Sequence, residues 1–138
     1  MAELRGTQMT LLNAESTPDP GFVDGTVRCF NEEITLATQT TSDTIEVCRL
    51  PKGAIPLYGI IETDTSLGAA TAAIGITGST GKYRAAAVFT ALNTPTLFGV
   101  GAAIGEALAA EETVIITIAA ASFPASGVLR VMFFYAFN

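Results

Sequence analysis

From residue 22 to the last residue, apolar and polar positions alternate in short runs divided by turn residues. That is the period of two expected of strands with one covered face. Residues 22–30 hold Val23, Val27 and Cys29 on one parity, and 33–38 alternate Ile34 and Leu36 with threonine and alanine. In 44–50, Ile45 and Val47 fall on one face and Glu46 on the other. Pro51-Lys52-Gly53 turns the chain into 54–63, a long apolar run with a bend expected at Gly59; 72–77 is a further run. Residues 113–119 set Val114, Ile116 and Ile118 against Thr113, Ile115 and Thr117, a pattern compatible with cover on both faces. A turn at 123–127 leads into 128–137, with Leu129, Val131, Phe133, Tyr135 and Phe137 on one side and Val128, Arg130, Met132, Phe134 and Ala136 on the other. β-Branched and aromatic runs with turn chemistry between them predict an all-β chain, a jelly-roll-like β-sandwich of about eight strands. Residues 83–92 suit a helix by propensity and 101–110 are alanine-rich, so one or two short helical insertions are expected; irregular structure packed between sheets is the alternative. Residues 1–21 have no single period and stop at Pro18-Asp19-Pro20-Gly21. They read as an N-terminal arm, with a short strand around 8–12, ahead of a β-sandwich domain over 22–138. Such an arm is either a loose tail or lies on a neighbouring subunit.

Composition changes what this sandwich must do. With 138 residues it is one domain. Charged residues make up only 14% and apolar ones 49%, against roughly 25% charged in ordinary soluble domains. Much of the surface is therefore expected to lie against something. A bilayer is not that something. The charge-free run 85–105 has the length of a spanning helix, but Asn93-Thr94-Pro95-Thr96 interrupts it and no basic flank follows. No apolar signal core follows Arg5, so secretion is not expected. The net charge is −6 and the seven basic residues are scattered, which leaves no stripe to follow a phosphate backbone; direct nucleic-acid binding is not expected. Cys29 and Cys48 fall on separate predicted strands. They are either a disulfide or, the reading favoured for a reducing cytoplasm, two free thiols.

The stretch GITGSTGKY, residues 75–83, looks like a phosphate cradle, but its spacing is wrong. A phosphate loop before Gly81-Lys82 needs glycine where Ile76 stands, and a small hydroxyl where Tyr83 stands. The stretch reads as a glycine-built turn, with Gly78 and Gly81 free to take positive φ. The absence of histidine removes Ser-His and Cys-His pairs and the commonest zinc ligand. Glu32-Glu33 and Glu111-Glu112 are adjacent, so each pair points to opposite faces of a strand. Glu62 and Asp64 share a face, as a calcium site or as the solvated edge of a strand. No catalytic residue, cofactor or resident metal is assigned, and enzymatic activity is not expected.

Two features remain. From Thr65 to Gly105 the only charges are Lys82 and Arg84, and the last strand carries aromatics on both parities. A symmetric oligomer accounts for both, because small and apolar surfaces pack closely around an axis. Candidate interface residues are Leu11, Leu12 and Phe22 at the arm, Val88, Phe89, Leu97 and Phe98 in the charge-poor segment, and Phe134 on the last strand.

The rhythm of VCRLPKGAIPLYGIIETDTSLGAATAAIGITGSTGKYRAAAV and of EETVIITIAAASFPASGVLRVMFFYAF resembles small head decoration, or cement, proteins of tailed bacteriophages. The likeness covers about 45–137 and carries no catalytic signature. It implies a β-rich structural virion protein, often a homotrimer, made in the host cytoplasm. Such a protein sits on the outer capsid surface, where its partner is the major capsid protein. The alternative is a carbohydrate- or receptor-binding jelly-roll module of a virion fibre. That class usually offers exposed Trp with Asn or Asp in a groove, whereas Trp is absent here and Asn is confined to Asn13, Asn31, Asn93 and Asn138. Another structural part, from a tail or connector, is a third reading.

Overall fold

The structure is a computed structural model. It describes residues 25–137 together with Leu4, Met9 and 14–17. The arm boundary at residue 21 and the interface candidates Leu11, Leu12 and Phe22 lie outside the described residues. Of the short strand expected over 8–12, only Met9 is described, and it is helical.

Among the described residues eight strands follow in order: β1 (Thr26–Thr35), β2 (Thr44–Leu50), β3 (Ile55–Thr63), β4 (Thr71–Ile76), β5 (Ser79–Val88), β6 (Thr96–Phe98), β7 (Glu112–Ala119) and β8 (Val128–Phe137). β1 pairs with β8, β2 with β7, β3 with β6 and β4 with β5, all antiparallel. These nested pairs describe one long hairpin, rolled so that β3 also meets β8 and β4 meets β7. The result is two four-stranded sheets, β1-β8-β3-β6 and β2-β7-β4-β5, the strand order of a jelly roll.

The alternation seen in the sequence sets the faces. Leu129, Val131, Phe133 and Tyr135 of β8 are buried against Val114, Ile116 and Ile118 of β7, with Ile61, Leu50, Ile74 and Tyr83 in the same core. Leu36, Leu67, Phe89 and Phe123, from the connections after β1, β3, β5 and β7, plug one end of the sandwich. Phe133 is the hub: Tyr83 meets it edge-on at 4.9 Å and Phe98 lies tilted at 6.1 Å. The Phe98 ring lies across Gly59, where any Cβ would overlap it. Gly59 therefore makes room for an aromatic within a continuous strand; the irregularity of β3 falls between Pro56 and Tyr58 instead of at the expected bend.

Three expectations need correction. β1 is one strand through Thr35, not two runs, because its pairing with β8 is unbroken from Thr26 to Thr35. Neither helical insertion is present among the described residues. Residues 83–88 belong to β5, where pairing to β4 and the inward reach of Tyr83 override alanine's helix propensity. Residues 101–110 form turns, tied to the start of β3 by Gly105 N–H to Pro56 O (2.8 Å) and Leu108 N–H to Ala54 O (2.9 Å); Gly105 at φ 83° also breaks any helix there. In the glycine-rich turn, Gly78 has φ 88° as expected, whereas Gly81 is extended backbone within β5. Among the described residues no helix is long and apolar enough to cross a membrane.

Candidate assembly surface

In antiparallel pairs, residues directly opposite each other share a face. The register therefore writes out the outer face of the first sheet in rows. Val27, Ala136 and Ile55 form the first; Cys29, Phe134 and Tyr58 the second; Asn31, Met132, Ile60 and Leu97 the third. The fourth is Glu33, Arg130 and Glu62. Three successive rows thus carry no charge on a face that would ordinarily be polar, although Ile55 and Ala136 of the first row are themselves buried, so that Val27 alone presents it. Leu97 is 70% exposed and Val27 60% exposed, and Tyr58 is also exposed. Tyr58 stacks on Phe134 at 4.8 Å between ring centres, so two aromatics form one flat plate at the middle of the face. The loop after β6 borders it, with Gly99 packed against Tyr58 and Val100 exposed.

The fourth row closes the face electrostatically. Arg130 donates to Glu33 (2.7 Å) and to Glu62 (3.3 Å). The Glu33 hydrogen bond, then its charge, raises the Arg130 pKa above its ordinary value. Just beyond, the Asp64 carboxylate accepts Val128 N–H (2.8 Å) and the Thr65 hydroxyl (2.9 Å), which holds it below the usual range. The two carboxylates considered for calcium are thus engaged by the protein itself. Among the described residues no three His, Cys, Asp or Glu side chains gather as a metal site would require.

The second sheet presents a different outer side. Its rows are Thr44, Thr117 and Ala73, then Glu46, Ile115 and Gly75, with Arg49 beside Thr113; Ala73, Ile115 and Gly75 among them are buried. Val88 stands there opposite Thr71, 52% exposed at the edge of the sheet.

The candidate residues thus separate. Leu97 and Phe134 share the outer face of the first sheet, joined through Ile60, Met132 and Tyr58. Val88 is on the opposite sheet. Phe89 and Phe98 are core side chains, the first in an end plug and the second over Gly59. Sequence reasoning missed Tyr58, Ile60 and Met132. The signal for Tyr58 and Ile60 was the second apolar parity of 54–63, visible as Leu57 and Ile61 against Tyr58 and Ile60, and that for Met132 was its shared parity with Phe134 in 128–137.

The residues of the false phosphate loop form a structural node. Lys82 pairs with Glu112, and the Tyr83 hydroxyl donates to the same carboxylate at 3.1 Å. Burial first, and then the Glu112 charge, push the Tyr83 pKa up. Lys82 is occupied by a carboxylate and not offered to a phosphate. Cys29 and Cys48 are both free thiols, Cys29 exposed on the apolar face and Cys48 buried.

No family profile and no curated protein matches the chain. Solved structures do. The chain is similar to one in the capsid asymmetric unit of cyanophage Pam1, with 26% identity and a TM-score of 0.64 over 83% of this chain and 86% of that one. It also resembles a chain in the capsid of Ralstonia phage GP4 (23% identity, TM-score 0.62, 84% and 86% covered). A third likeness is to a chain in the acid-stable capsid of Helicobacter pylori bacteriophage KHP30 (10%, TM-score 0.61, 80% and 87% covered). The last two establish a shared fold. The first supports a structural, phage capsid-related protein.

Proposed function

We propose that this chain is a decoration protein of a tailed-phage head, a homotrimer on the outer capsid surface that braces the shell by bridging major capsid subunits. The observation that carries the reading is the charge-free outer face of the first sheet, on a jelly roll that resembles phage capsid chains. The eight residues of these rows that are not already buried cover on the order of 250 Å2, taking strands about 4.8 Å apart and a rise of about 3.4 Å per residue. At ~25 cal/mol per Å2 that is about 6 kcal/mol, within the ~4–15 kcal/mol that association costs. The face alone therefore supports only weak pairing. Added contacts from an arm over residues 1–21, and many copies on one shell, supply the remainder, as multivalent attachment does. The acidic balance keeps the free protein soluble and away from packaged DNA.

The test mixes purified protein with empty expanded capsids of the same phage. Saturable binding at a fixed stoichiometry per capsomer, weakened by deletion of residues 1–21, is expected. Failure to bind capsids, together with retention of a specific glycan on an array, would replace this reading with that of a fibre module.

A further inference from the structure

We infer that the occupant of the first sheet's outer face is a second copy of this chain, so that this face is the seam of the oligomer and not the side turned to the capsid. The inference rests on the oligomeric part of the proposed function and is independent of the capsid part.

Two observations choose the occupant. The first is charge. A molecule of net charge −6 repels its own copies wherever charged surfaces approach. On this face three rows are uncharged, and the fourth is an Arg130 held between Glu33 and Glu62. Copies can meet over these rows without facing like charges, whereas on the second sheet Glu46 and Arg49 leave only the rows of Thr44, Thr117 and Ala73 and of Thr71, Ala119 and Val88 uncharged. A foreign partner of this acidic protein is under no such constraint and would gain from basic charges of its own. Neutrality is therefore the signature of self-contact. The second observation is extent. The four strands, of ten, ten, nine and three residues, make a plate on the order of 500 Å2, about two-thirds of the ~800 Å2 per partner of a standard stable interface. Its uncharged rows run from one end of the sheet, and the charged row borders them on one side.

Cys29 is a native reporter of this seam. It lies in the same row as Phe134 and Tyr58. The chain's other cysteine, Cys48, is buried, with its thiol pushed up to about 12, first by burial. Maleimide labelling of the native protein therefore reads Cys29 alone.

The experiment measures mass by analytical ultracentrifugation and Cys29 labelling rate in parallel, for the full chain and for Leu97→Asp, Val27→Asp and the opposite-sheet control Val88→Asp. The first two residues are exposed on the seam, so their variants fold. The expected result is an oligomer whose Cys29 labels at least several-fold more slowly than in either seam variant. Both seam variants should sediment as monomers, while Val88→Asp keeps the oligomer. A wild-type monomer at high micromolar concentration overturns the inference. So does an oligomer with freely reactive Cys29 that Val88→Asp, and not Leu97→Asp, dissociates. An oligomer with protected Cys29 that ignores capsids sinks the decoration reading and leaves this one standing.

Discussion

Gly75 shows how one residue answers for a whole motif. It sits in β4 beneath the backbone of Ser79 and Thr80, and a Cβ there would overlap both carbonyl oxygens. The glycines of 75–81 thus serve a tight hairpin between β4 and β5, not a ligand. Gly75→Ala must displace backbone, which no side-chain rotation relieves. A loss of about 1–3 kcal/mol is expected, read as a lower urea midpoint with an unchanged m-value. Asp64 gives a pH effect of known sign. Its carboxyl is held below 3.8, chiefly by Val128 N–H and then by Thr65. A depressed carboxyl stabilises the fold fully above its unfolded value, and that contribution is lost as pH falls through the folded one. Asp64→Asn should therefore narrow the gap between urea midpoints at pH 7 and pH 3; an unchanged gap would show that the Val128 contact has no such part.

At the scale of elements, the node of Lys82, Tyr83 and Glu112 fastens β5 to β7 across the interior of the second sheet. Both ion-pair partners are largely buried. Lys82→Met strands the Glu112 charge, and a cost of about 2–3 kcal/mol is expected, somewhat below the ~3–5 kcal/mol of a fully buried pair. The double variant Lys82→Met/Glu112→Leu should cost less than Lys82→Met alone, a non-additivity that chemical denaturation measures directly. Strands with clean alternation were legible in the sequence: β2, β3, β7 and β8 match their expected ranges to within a residue or so. β5 was not, because alanine's local preference for helix is outweighed by pairing that only the folded hairpin supplies. β6 was missed because three residues, Thr96 to Phe98, are too few to show a period. The assembly face was half legible. Phe134 and Leu97 were singled out, but the register that sets them beside Tyr58, Ile60 and Met132 is a long-range property of β3 and β8.

For the whole molecule, scarcity of charge has a definite location. The charge-poor segment supplies interior β4 and the exposed Leu97, while the first sheet turns three uncharged rows outward. An apolar seam responds to salt differently from an ionic one. Raising sodium chloride should leave the oligomer intact, and sulfate should strengthen it, whereas a seam built on ion pairs would loosen. Sedimentation across a salt series distinguishes the two.

Electron cryomicroscopy of decorated heads tests the central claim most directly. The account predicts density for a jelly roll on the shell, with polypeptide packed over Tyr58, Met132 and Phe134. A map in which the jelly roll is bound and those three side chains face open solvent would contradict it.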